Sequence, residues 1–122
     1  MEPLQILQIA ARALDDKKAA NIAAIKIREL TIIADYFLIG SGSSSTQVKA
    51  LADEIEFKLE EQGVRPHHIE GKATSWILLD YGSVVIHVFY AQAREFYDLE
   101  RLWRDGEPVD LTGIINIQKD TP

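Results

Sequence analysis

The side chains best equipped for chemistry crowd into one stretch, EGKATSWILLDYGSVVIHVFYAQAREFYDLERLW (70–103), which holds both tryptophans, three of the four tyrosines and one of the three histidines. Several chemistries are disfavoured by spacing. Two-metal catalysis needs carboxylates on alternate residues of a strand, so that both point into one site. Asp80 is followed by Tyr81 and Gly82, Asp35 by Tyr36 and Phe37, and Asp53 and Glu54 are adjacent on a helical stretch where they diverge. His67 and His68 are neighbours in an extended segment and face opposite ways, so they do not readily chelate one ion. His87 reads as a strand histidine packed beside Trp76 and bonded to a neighbour, and no metal is expected. The chain has no cysteine, which removes thiolate nucleophiles, disulfides and Cys-based zinc sites. Gly40-Ser41-Gly42-Ser43-Ser44-Ser45 lacks the lysine of a P-loop and the third glycine of a dinucleotide fingerprint, so helix capping accounts for its serines. What remains is recognition. Trp, Tyr and Arg are the residue types enriched in interface hot spots.

Charge narrows the partner. With 19 acids against 13 bases the net charge is −6, whereas a protein that grips phosphates needs a basic surplus. Direct nucleic-acid binding is not expected, but an acidic protein can join a nucleoprotein particle by docking on one of its basic proteins. At 122 residues and 47% apolar content the chain is long enough for a core that buries roughly two thirds of the unfolded surface. No apolar run approaches about 20 residues, so no membrane span is expected. The N-terminal segment has neither a basic n-region nor a long apolar h-region, and its acids argue against a transit peptide. A reducing cytosol fits the absence of cysteine.

The elements that must position these residues follow from periodicity. Leu4, Leu7, Ala11 and Leu14 mark an amphipathic helix from residue 3 to about 19, with Pro3 where a missing N–H is harmless. Alternation over 21–28 and a second strand over about 34–40 predict an antiparallel pair, turning near Leu30 and Thr31. Val48, Leu51, Ala52, Ile55 and Leu59 mark the next helix, with Ser44 and Gln47 as a capping box and Gly63 as its stop. A short strand at 68–70 is expected to return parallel to the second strand by a right-handed crossover.

The hairpin comes next. With Tyr81 and Gly82 as its central residues, Trp76 faces His87, Ile77 faces Ile86 and Leu79 faces Val84. Period-two alternation then puts Ile77, Leu79, Val84, Ile86 and Val88 on one apolar face. Trp76, Leu78, Asp80, Ser83, Val85, His87 and Phe89 share the other, as expected of a face covered partly by the protein's own helix and partly by a partner. A one-residue slip would scramble the split. A closing helix from about Ala93 to Trp103 buries Phe96, Leu99 and Leu102, with Tyr97, Glu100 and Trp103 partly off that stripe. The sum is an α/β domain over residues 1–106, a mixed sheet of about five strands with helices packed on it. Residues 107–122 read as a C-terminal tail that forms a short edge strand, docks as an extended arm or frays.

The run WILLDYGSVVIHVF, followed by the frame R-x-F-Y-x-L-E-x-L-W from Arg94 to Trp103, closely resembles the ribosomal silencing factor (Iojap) family. ADYFLIGSGSSSTQVKALAD is similar to that family's other signature, D-Y-F-x-I-x-x-G-x-S-x-x-Q. The resemblance covers residues 3 to 105. It implies a nucleotidyltransferase-like core without catalytic carboxylates, no cofactor and no enzymatic activity. It further implies binding to the large ribosomal subunit through ribosomal protein L-fourteen, blocking association with the small subunit and repressing translation when nutrients are scarce. The family motif carries Trp76, Asp80, Tyr81, Gly82, His87, Arg94, Tyr97, Glu100 and Trp103 into the partner-binding set, together with Asp35 and Tyr36. A homodimer is expected when the chain is free, because an exposed apolar patch tends to be covered by self-association. The alternatives are a nucleotide-binding enzyme of nucleotidyltransferase type and a dimeric scaffold.

Overall fold

The computed structural model describes residues 1–27, 34–71, 75–91 and 106–115. The closing helix expected over 93–103, with Arg94, Tyr97, Glu100 and Trp103, and the turn at Leu30 and Thr31 lie outside the described residues. Helix α1 spans Pro3–Asp16 with Pro at its first turn, and buries Ile6, Leu7, Ala10, Ala11, Ala13 and Leu14. Leu4, expected on the buried stripe, is exposed. The buried positions centre on the Leu7–Ala11–Leu14 line, and Leu4 stands in the first turn, before the first buried residue of the helix, Ile6.

Strand β1 (Ala20–Lys26) pairs antiparallel with β2 (Tyr36–Gly42), as the short connection requires. Helix α2 (Ser45–Glu61) buries the five residues expected from its period, Val48, Leu51, Ala52, Ile55 and Leu59. Its N-terminus differs in one bond from a reciprocal capping box. Ser44 Oγ accepts from the Gln47 N–H, but the Gln47 Oε1 accepts from Ser43 instead. The Gln47 amide donates to the Lys17 and Lys18 carbonyls, tying the end of α1 to the start of α2. At the other end Gly63 takes φ +77 and the Val64 N–H bonds the Leu59 carbonyl, closing the last turn.

Three strands follow: β3 (His68–Glu70), β4 (Trp76–Asp80) and β5 (Val84–Tyr90), and β6 (Glu107–Pro108) comes later. The described strands form one mixed sheet in the order β3-β4-β5-β2-β1-β6. The expectation that β3 returns parallel to β2 is wrong: β3 pairs antiparallel with β4 at the sheet edge, and β5 is the parallel neighbour of β2. The reason is hydrogen-bonding length and apolarity. VVIHVFY supplies seven residue pairs to β2 and is buried along almost its whole length, as a central strand must be. His68-Ile69-Glu70 is short and exposes its polar ends, which suits an edge.

The hairpin register also differs from expectation. Asp80 pairs with Val85, Leu79 with Ile86, Leu78 with His87, Ile77 with Val88 and Trp76 with Phe89. The Tyr81 N–H bonds the Val84 carbonyl, so the central residues are Gly82 and Ser83, with Gly82 first at φ +84. Moving the turn by one residue shifts the pairing by two, and an even shift leaves every side chain on its face. Ile77, Leu79, Val84, Ile86 and Val88 therefore still line one face, in a cluster with Leu38, Tyr36, Tyr81 and the buried sides of α1 and α2. The opposite face carries Ile25, Ile27, Ala34, Ile39, Val85 and Phe89, flanked by half-buried Phe37, Trp76 and Leu78. Neither α1 nor α2 contributes to that second cluster. After β6 pairs with Ile25 and Lys26, Leu111 joins the helix-covered core and the Ile114 carbonyl accepts from the Arg12 Nε. Among the described residues no helix is long and apolar enough to cross a membrane.

Candidate functional site

Alternation along β4 and β5 builds an aromatic cluster on the sheet face that α1 and α2 do not cover. Trp76 stacks on its cross-strand partner Phe89 at a centroid distance of 5.1 Å. It does not sit directly across from His87, as the expected register had it. It reaches His87 diagonally, within range for a large side chain, and its Nε1–H donates to the His87 Nδ1 at 3.2 Å. Phe37, from β2, meets the His87 ring edge-on at 4.8 Å. Period-two alternation places Phe37 on the face of Ile39, but its approach to His87 depends on the parallel β2–β5 pairing, which sequence reasoning missed.

His87 is buried, and burial pushes its pKa down to about 4. The ring is therefore neutral near pH 7, and the indole bond assigns its tautomer: an indole N–H only donates, so Nδ1 carries the lone pair and Nε2 the proton. That Nε2 is buried and has no hydrogen-bond partner among the described residues. His87 thus serves as an acceptor and a ring wall for Trp76.

The remaining described members of the expected set gather at the hairpin end of the sheet. The Ser83 carbonyl accepts from the Asp35 and Tyr36 N–H groups, which ties the start of β2 to the turn. Asp80 lies on the Trp76 face, and its Oδ1 accepts from the Gly82 N–H at 2.8 Å. The Gly82 position also presses on His67: a Cβ built there would lie 2.9 Å from His67 Cε1. Tyr36 and Tyr81 point the other way, into the helix-covered core. Burial raises the Tyr81 phenol above its ordinary range, with the carboxylates of Glu56 and Glu60 adding to the effect. The structure therefore brings Trp76, Asp80 and His87 to one face and turns Tyr36 and Tyr81 to the other.

Asp80 has a turn-holding role whatever else it does. Asp80→Ala is expected to lower stability by about 1 kcal/mol, because it leaves the Gly82 N–H without its acceptor in a half-buried turn. Chemical denaturation of the two proteins measures this directly, and an unchanged midpoint would mean that solvent replaces the carboxylate without loss.

The family model described as "Ribosomal silencing factor during starvation" matches residues 1–122. The chain is 42% identical over 117 residues to "Ribosomal silencing factor RsfS" of Halalkalibacterium halodurans, covering 95% of this chain and 100% of that protein. It is 33% identical over 101 residues to "Protein Iojap, chloroplastic" of Zea mays, covering 83% of this chain and 44% of that longer protein. A crystal structure of a Chromobacterium violaceum protein superposes with a TM-score of 0.82 at 38% identity, covering 85% of this chain and 88% of that one. The full-length match and the shared fold together establish that this chain belongs to the ribosomal silencing factor family.

Proposed function

We propose that this protein silences ribosomes by occlusion. It docks the sheet face bearing Trp76 on ribosomal protein L-fourteen of the large subunit, covers the surface that the small subunit needs, and so represses translation under nutrient limitation. Trp76, Asp80 and His87 belong to the docking face. Gly82, Asp35, Tyr36 and Tyr81 hold the adjacent hairpin end in shape, and Arg94, Tyr97, Glu100 and Trp103 complete the partner-binding set. The observation that supports this most is the half-buried Trp76, anchored by His87 and Phe89 on a face to which α1 and α2 contribute nothing. Such a rigid aromatic, with one polar edge, is the type of residue that dominates interface energetics. Occlusion calls for no cofactor and no catalytic step. The protein acts in the cytosol, and when free it covers the same face by pairing with a second copy.

Co-sedimentation with purified subunits tests the proposal. The protein is expected to pellet with large subunits and not with small ones, and to be released progressively as salt rises, because an acidic chain meets a basic partner. Equal binding to both subunits, or to neither, would end the proposal. Binding indifferent to salt would remove charge pairing from it.

A further inference from the structure

We propose that the cleft on the outer side of the helix layer is a binding site for a small organic oxyanion, a phosphate or carboxylate head on a short apolar body. The cleft has a volume of about 210 Å³ and is lined by Gln8, Ile9, Arg12, Ala13 and Asp16 of α1 and Lys58 of α2. Because α1 and α2 pack on the face opposite Trp76, this site is separate from the proposed docking face.

Two cations line it, and among the described residues neither has a carboxylate partner, in a chain where acids outnumber bases. Other bases on or beside α2 are paired: Lys49 with Asp53 at 2.9 Å, and Arg65 with Glu60 at 3.5 Å. Arg12 and Lys58 are instead held by groups that leave their charge in place. The Arg12 Nε donates to the Ile114 backbone carbonyl at 3.2 Å, which orients the guanidinium and leaves its two terminal nitrogens for another acceptor. The Lys58 Nζ lies 5.8 Å from the centroid of the Phe57 ring. A guanidinium fork oriented by Ile114 and an ammonium lining the same cleft match a phosphate or carboxylate head, the fork giving two parallel bonds and the ammonium a point charge. Ile9 and Ala13 supply apolar lining for the body of the ligand. The volume falls below the roughly 300 Å³ where drug-sized pockets begin, which points to a small metabolite rather than a nucleotide. Asp16 is the one carboxylate among the described lining residues, and it disfavours an anionic head close to it.

The test is a titration of the full chain with monobutyl phosphate at constant ionic strength, followed by backbone amide shifts in two-dimensional NMR, with sodium chloride as a parallel arm. Saturable shifts confined to α1 and to the Lys58 turn of α2 are expected with the phosphate and not with chloride. Lys58→Gln should weaken the phosphate about tenfold, the loss of one charge-assisted contact. Arg12→Gln should weaken it at least as much, and Lys58→Gln covers the case in which Arg12→Gln also loosens the segment around Ile114. Non-saturating shifts equal to those with chloride would overturn the site. So would saturable binding that survives both substitutions.

Discussion

Trp76→Ala is expected to weaken binding to the large subunit by about 2 to 4 kcal/mol, a loss of roughly thirty-fold to nearly a thousand-fold in affinity. An indole at the centre of an interface contributes a large apolar area and little side-chain entropy cost, so its truncation leaves a desolvated hollow on both partners. Trp76 has this character before any partner arrives, being stacked on Phe89 and bonded to His87 in one orientation. The same packing means that the substitution also costs the free protein some stability, so co-sedimentation must be read beside a thermal melt on the same preparation. Trp76→Phe separates the two contributions. It keeps the stack on Phe89 while removing the indole N–H, so it should melt close to the parent and recover most of the affinity lost in Trp76→Ala. If Trp76→Ala folds and binds as tightly as the parent, the aromatic cluster is not the docking face.

His87 should make stability depend on pH by a comparable amount. Burial lowers its pKa from the ordinary 6.5 to about 4 in the folded chain, so between those values the unfolded chain binds the extra proton and the folded chain does not. Unfolding then takes up a proton, and stability rises with pH across the window. The contribution is fully present above pH 6.5 and is lost as pH falls towards 4. The shift corresponds to about 3 kcal/mol, of which about 2 to 3 kcal/mol should disappear between about pH 7 and about pH 4.5. Carboxylates titrate in the same range, so the informative quantity is the difference between the parent and His87→Gln. The glutamine keeps an acceptor for the Trp76 indole but has no proton to gain. Denaturant midpoints for the two proteins should converge on acidification. Parallel curves would mean that His87 is protonated in the folded state at no cost, and that its burial is not as described.

The structure explains which parts of the fold were legible before any coordinates. Helix α2 follows from local signals, because its buried stripe, the Ser44 acceptor and the left-handed Gly63 all lie within its own segment. The two faces of the hairpin were legible for a related reason: side chains alternate with period two, so a two-residue error in register leaves Ile77 and Leu79 inside and Trp76 and Asp80 on the other face. The identity of the pairs was not legible. A glycine two residues after Asp80 can stand first or second in the turn, and only the bonds of Tyr81 to Val84 and of Asp80 to Gly82 select the first.

By itself the amino-acid sequence determined the α/β class, helix α2, the split between apolar and mixed hairpin faces, and the family motifs that locate Trp76, Asp80 and His87. Tertiary structure alone decided that β5 rather than β3 lies beside β2, since strand order depends on which segment satisfies the most backbone groups across the sheet. From that choice follows the approach of Phe37 to His87, whereas the bond of Trp76 to His87 comes from the register of the β4–β5 hairpin. Tertiary structure also turned Tyr36 and Tyr81 into the core, away from the face where their motif neighbours gather. The contact of Phe37 with His87 joins residues distant along the chain. Periodicity governs the direction of each side chain, whereas the neighbour it meets is set by sheet order and register.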